Sequence, residues 1–326
     1  MKVLSAVCLI LGCFLGAGFV SGREVASYFS NFGTMSYVAC VVAGVLFFVL
    51  TNFFFNISNN ARNTNEFLSC YFNRSKKVVE WLFAICVLII TGSMFAGTYS
   101  LADSLGYNEY LIVGITFVLT FVVVCNNVRG LERVNTILVP ILILVIFFSI
   151  KKGNNIFIKE GDIISSILSG GGYVFINIVS LGLLIIEISH NYSKREKILI
   201  SLICTMVIMV LLTCINFSIL SNGIGEHIMP NLYLSSRNPI LYVMMQISIY
   251  LGLFTTLISN AFLLSNFANR FISNKYIATL FGLILGVFIS LLGFNNLVGY
   301  VYIFIAGVGV FVVCVTLIKR KTKGIN

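Results

Sequence analysis

Charge is scarce in this chain of 326 residues: Asp, Glu, Lys and Arg make up 10% of it and hydrophobic residues 59%, against roughly 25% charged residues in a soluble globular domain. A large soluble domain is excluded. Histidine is nearly missing, with only His190 and His227, and the nine cysteines form no Cys-x-x-Cys pair. Neither a structural metal centre nor a disulfide framework is expected. No paired acid stands with a histidine or metal cluster at a membrane face, so the chain reads as a non-enzyme without a cofactor of its own. The segments of about ten alternating residues that build a membrane β-barrel are absent too.

What is present is a succession of apolar runs, many of them about 17 to 27 residues long, the length a helix needs to cross a hydrocarbon core of about 30 Å. Ten candidate spans result, at 3–29, 34–56, 78–104, 109–125, 134–150, 163–188, 196–220, 238–266, 276–293 and 296–318. The expected fold class is an all-α membrane protein of about ten transmembrane helices, a single transmembrane domain over 1–326. Its partners are a lipid bilayer and a small-molecule solute. "ILGC", ending at Cys13, resembles a lipoprotein cleavage site only faintly, and the first span is expected to be kept.

The net charge of +10 is a matter of topology and does not imply nucleic acid. With the N-terminus inside, the inner side holds Lys2, Arg62, Arg74, Lys76, Lys77, Arg129, Arg133, Lys194, Arg195, Lys197, Arg270, Lys275, Lys319, Arg320, Lys321 and Lys323, sixteen of the twenty-one Lys and Arg. The outer loops hold Lys151, Lys152, Lys159 and Arg237, and Arg23 lies within a span. The positive-inside bias gives an even number of spans with both termini cytoplasmic, in what reads as a bacterial plasma membrane.

"GAGFV" at Gly16 to Val20 recurs as "GGGYV" at Gly170 to Val174, 154 residues on. That spacing divides the chain into two five-span halves, 1–153 and 154–326. With an odd number of spans each, the second half enters the membrane from the opposite side, which makes the repeat inverted. Paired glycine interruptions in inverted halves point to a transporter's binding site. Glycine weakens a helix by about 1 kcal/mol relative to alanine, so breaks are expected in spans 1 and 6. Unpaired amides of Gly16, Ala17 and Gly18, and of Gly170, Gly171 and Gly172, would then receive an anionic group of the solute. The competing reading is close helix packing through small residues.

Ten spans, the "GAGF" break and the five-plus-five repeat resemble the leucine-transporter fold of the amino acid, polyamine and organocation superfamily. "GAGFVSGRE" is similar to the first helix of YkvI-type membrane proteins of Gram-positive bacteria. The resemblance implies a cation-coupled secondary transporter of a small solute, an amino acid or a related carboxylate or amine, working by alternating access. A different class on the same fold is a non-transporting sensor, as in spore-germinant receptors. Sodium-coupled members place an adjacent Ser/Thr pair in span 8. Here "LFTTLISN" supplies Thr255 and Thr256, with Ser259 one turn on and Gly252 and Ala17 as backbone contributors to a possible Na+ site. Two hydroxyls with carbonyls suit a hard cation. Threonines that simply bond back to their own helix are the alternative.

Phe19 and Tyr173 follow the breaks and are placed to cover a ligand, with Asn177 a turn below Tyr173. In span 3, Ser93 and Phe95 line the cavity or pack helices. Glu24, about 9 Å beyond Gly18 if the helix is straight, is expected to accept a proton, giving H+ coupling, or to gate. Arg23 reads as an outer-gate charge, with Glu24 or Asp103 as partner; the bland reading is that both charges reach the outer interface. Pro140 is expected to kink span 5, Glu187 to lie at the inner interface near His190, residues 56–77 to form an interfacial helix, and the loop 221–237 to form a lid.

Overall fold

The computed structural model describes residues 2–153, 161–294, 297 and 302–322. Lys159 and Lys323 of the charge pattern lie outside them. Helices fall on every one of the ten apolar runs: α1 (Lys2–Phe14), α2 (Ala17–Val20), α3 (Arg23–Tyr28), α4 (Ser36–Ile57), α5 (Thr64–Phe72), α6 (Lys76–Ser104), α7 (Glu109–Cys125), α8 (Asn127–Ser149), α9 (Ile163–Ile188), α10 (Lys194–Asn222), α11 (Pro230–Ser235), α12 (Pro239–Ala268), α13 (Lys275–Ser290) and α14 (Tyr302–Thr322). No β-strand occurs among the described residues. Seven stretches, on α4, α6, α8, α9, α10, α12 and α14, are long and apolar enough to cross a membrane, and α1, α7 and α13 are shorter apolar helices. Helix α8 continues through Pro140.

The first span is broken twice. Gly16 is extended (φ −67, ψ 174) and precedes the single turn of α2, and Gly22 is left-handed (φ 82) before α3. The expected break in span 6 is absent, because α9 runs through Gly170, Gly171 and Gly172 without interruption. Packing explains the first of these glycines: a Cβ on Gly170 would stand 2.8 Å from the Ala39 carbonyl oxygen of α4. A glycine that lets two backbones approach can remain helical.

The chain forms two compact units that cut across the sequence halves. The first comprises 1–48, 132–174 and 200–256, the second 49–131, 175–199 and 257–326. In the first unit, Leu9, Ile10, Phe19, Phe29 and Phe47 are fully buried, and the Phe14 ring meets Phe47 edge-on at 5.1 Å. Buried Asn216 of α10 accepts from the Ser30 hydroxyl at 2.8 Å and donates to Ser36 Oγ at 2.7 Å, fixing the corner between α3 and α4. Such polar groups stay buried only when their hydrogen bonds are made.

In the second unit α6, α7 and α13 pack together. Gly92 and Gly286 let α6 and α13 approach: a Cβ on Gly92 would stand 2.7 Å from Ile289 Cβ, and one on Gly286 2.9 Å from Thr91 Cγ2. Helix α5 is amphipathic and buries Phe67, Leu68, Tyr71 and Phe72. Its first turn is held by Glu187 of α9, whose Oε1 accepts from the Thr64 amide at 2.9 Å and hydroxyl at 2.6 Å. Arg270 pairs with Glu80, and Ser58 with Ser189.

Candidate functional site at the broken first helix

The breaks leave backbone groups for side chains to satisfy. The Gly16 amide turns back to the Phe14 carbonyl at 2.9 Å, and the Gly12 carbonyl, one turn earlier, receives the Thr256 hydroxyl at 3.1 Å. Thr255 donates to Gly252 O at 3.2 Å within α12. The two helices touch backbone to backbone here, since a Cβ on Gly252 would stand 3.2 Å from the Leu15 carbonyl oxygen and 2.9 Å from Val20 Cγ2. The carbonyls of Gly12, Leu15 and Gly252 and the hydroxyls of Thr255 and Thr256 therefore share one neighbourhood. It is rich in oxygen and holds no formal charge, the ligand type a hard monovalent cation prefers.

The resemblance named Ala17 as the backbone contributor from the first helix; in the structure the carbonyls nearest Thr256 and Gly252 are those of Gly12 and Leu15. The reason is where helix resumes. The Ala17 carbonyl already accepts from the Ser21 amide at 2.8 Å and Gly16 from Val20 at 3.0 Å, so the oxygens spared by the break lie before it. These are backbone atoms that any residue carries, and no residue type could signal them.

Glu24 is not 9 Å away along a straight helix. The turn at Gly22 folds it back so that a Cβ on Gly18 would stand 2.5 Å from Glu24 Cδ and Cγ, and Tyr173 of α9 donates its hydroxyl to Glu24 Oε2 at 2.9 Å. Tyr173 is 1% exposed and sits among the rings of Phe14, Tyr28 and Phe29 at 5.6, 5.4 and 5.5 Å. Ser169, a turn before it, donates to the Tyr28 carbonyl at 2.8 Å. Phe19 is fully buried with its edge toward Phe14 at 6.1 Å.

Two parts of the expected anion site are thereby corrected. Gly170 to Gly172 sit inside a continuous helix whose amides are committed to it, and the protein's own carboxylate covers Gly18. Gly172 has open space, with nothing within 4 Å of a Cβ. Arg23 is half-buried in the first turn of α3.

The loop before α12 contributes a residue that sequence reading passed over. Asn231, 2% exposed, donates from its amide to Ser21 O at 2.9 Å and from Nδ2 to Val20 O at 2.8 Å, capping the last carbonyls of α2. The loop read as a lid thus carries a helix, α11, clasped to the second break. Beside that corner Ser30, Asn31, Leu220, Gly223 and Glu226 line an open cleft.

The remaining expected residues belong to the second unit. Phe95 is fully buried, its ring 3.5 Å from where a Gly286 Cβ would stand and stacked on Phe117 at 6.4 Å, which is helix packing. Ser93 donates to Ile90 O at 2.8 Å within its own helix. Ser259 is fully buried in α12, Asn177 partly buried in α9, and Asp103 exposed at the end of α6. Glu187 binds Thr64, as described above.

No family model matches the chain. Over 138 residues, 41% of its length, it is 30% identical to YkvI, an uncharacterized membrane protein of Bacillus subtilis (strain 168), and the match spans 40% of that protein. Its fold is similar to that of MhsT in complex with L-phenylalanine, with a TM-score of 0.70 and 16% identity over 97% of this chain and 88% of that one. A manganese transporter of Eremococcus coleocola gives a TM-score of 0.62 at 12% identity over 94% and 75% of the two chains. For a nucleobase-cation-symport-1 family transporter in a closed conformation the values are 0.59 and 13% over 90% and 74%. The last two are transporters by description, and at such identities the likeness speaks for architecture: the chain, helical throughout its described regular elements, is a multi-pass membrane protein of the leucine-transporter fold.

Proposed function

We propose that this protein is a sodium-coupled secondary transporter of a small amino-acid-like solute, working by alternating access. The observation that carries the reading is the oxygen cluster of Gly12, Leu15, Gly252, Thr255 and Thr256 at a break in the first helix. A break at membrane depth is tolerable only where its backbone groups are buried in protein or line a wet cavity. The cluster offers a cation several oxygens without demanding a buried counter-charge. Inverted repeats belong to the reading, and element order supports them. Each half inserts a short helix between its second and third spans, α5 in one and α11 in the other. Each short helix is tied to the other half's first span, α5 through Glu187 and α11 through Val20 and Ser21.

The test uses purified full-length protein. Sodium, compared with potassium at equal ionic strength, is expected to raise the apparent melting temperature, since an ion bound only by the native state stabilises it. Replacing Thr255 and Thr256 with valine keeps their shape and deletes two oxygens. The sodium concentration giving half the shift should rise tenfold or more, about 1.4 kcal/mol. An unchanged sodium response in the folded double variant would remove the site. Solute binding without uptake into proteoliposomes would replace transport by sensing.

A further inference from the structure

We propose that Glu24 is the counter-charge for an ammonium group of the solute, so that the broken helix recognises a cation where a carboxylate was expected. The inference rests on the transporter reading of the same site and adds the chemistry of what is carried. Among the described residues the single hydrogen-bond partner of the Glu24 carboxylate is the Tyr173 hydroxyl at 2.9 Å. A carboxylate within a membrane-embedded helix is expensive unless something positive meets it. One neutral phenol offsets only part of that cost. The titratable groups facing Glu24 are Tyr28, on its own helix, and Tyr173, on α9, and neither supplies positive charge.

The surroundings select the kind of cation. Glu24 lies beside a group of aromatic rings formed by Phe14, Tyr28, Phe29 and Tyr173, with centroids 5.4 to 5.6 Å from that of Tyr173. Ring faces attract ammonium groups, and a carboxylate gives them a charge-assisted hydrogen bond. A bare metal ion would need more oxygens than one carboxylate and one phenol provide. The position also disfavours an anion. The Glu24 side chain lies directly over Gly18, and two carboxylates a few ångströms apart in a medium of low dielectric repel strongly. Gly172, next to Tyr173 in α9, is partly exposed with nothing within 4 Å of its missing side chain.

The experiment is a thermal-shift screen of the full-length protein in sodium buffer. The probes are the twenty standard amino acids, their decarboxylated amines and their deaminated acids. Compounds that stabilise the protein are expected to carry an ammonium group, the amine of a pair retaining binding and the deaminated acid losing it. For the best amine, Glu24→Gln should weaken binding at least tenfold, and Tyr173→Phe, which keeps the carboxylate and the ring, by a smaller factor. Stabilisation by deaminated acids, absence of a shift from every ammonium compound, or amine binding unchanged in Glu24→Gln would each overturn the proposal. If Glu24→Gln fails to fold, the comparison of amines with acids on the wild-type protein still decides. Sodium-dependent binding of the acids would sink the ammonium site and leave the transporter reading standing; a response to amines without any sodium dependence would do the reverse.

Discussion

At position 22 the backbone needs what only glycine gives without strain. Its φ of 82 is left-handed, and a Cβ there would stand 3.1 Å from Asn231 Cγ, against the side chain that caps α2. A left-handed conformation costs an L-residue about 1–2 kcal/mol, so Gly22→Ala should lower stability by at least that much, read as a lower apparent melting temperature in detergent. Unchanged melting would mean that the corner relaxes freely. The sequence displayed Gly16, Gly18 and Gly22 together, yet a glycine in a helix and one in a left-handed turn look alike in letters. The same blindness hid the Gly12 and Leu15 oxygens. Thr255 and Thr256 were legible because their chemistry resides in side chains, and Glu24 was legible as a charge out of place, though its position over Gly18 depended on a turn that no residue type announced.

Elements were far easier to read than their interruptions. Runs of apolar residues long enough to cross a bilayer are demanded by the solvent, so helix positions survive small errors of boundary. The break in span 6 was inferred from the likeness of "GGGYV" to "GAGFV", and there a repeat in sequence did not carry a repeat in local structure. Three glycines weaken a helix but do not compel it to open when the tertiary surroundings favour continuity. Within α9 they also differ from one another. Gly170→Ala puts a Cβ 2.8 Å from the Ala39 carbonyl oxygen and should cost about 1–3 kcal/mol by overpacking. Gly172→Ala meets nothing within 4 Å and should stabilise the helix by up to about 1 kcal/mol. Thermal unfolding of the two variants measures both signs, and equal destabilisation would restore the case for a special backbone at Gly172.

Charge across the whole molecule follows the two compact units rather than the two sequence halves. Of the fifteen described Lys and Arg expected on the inner side, thirteen belong to the second unit, with Lys2 and Arg133 alone in the first. The four other described ones, Arg23, Lys151, Lys152 and Arg237, all belong to the first unit. A division made purely by which residues lie near one another thus sorts the basic residues much as the positive-inside rule does, although the rule knows nothing of packing. Coincidence is a poor explanation, because the divide falls within α4, α8, α9, α10 and α12, with basic residues of both classes available on either side of it in sequence. The positive-inside rule predicts that the loops holding Arg62, Arg74, Arg129, Lys194 and Arg270 are cytoplasmic and that the loop carrying α11 is outside. A fluorescent protein fused after the last residue should be bright in a bacterial host, and alkaline phosphatase inserted at exposed Ile228, ahead of α11, should be active. A dark terminal fusion combined with an inactive insertion would invert the topology.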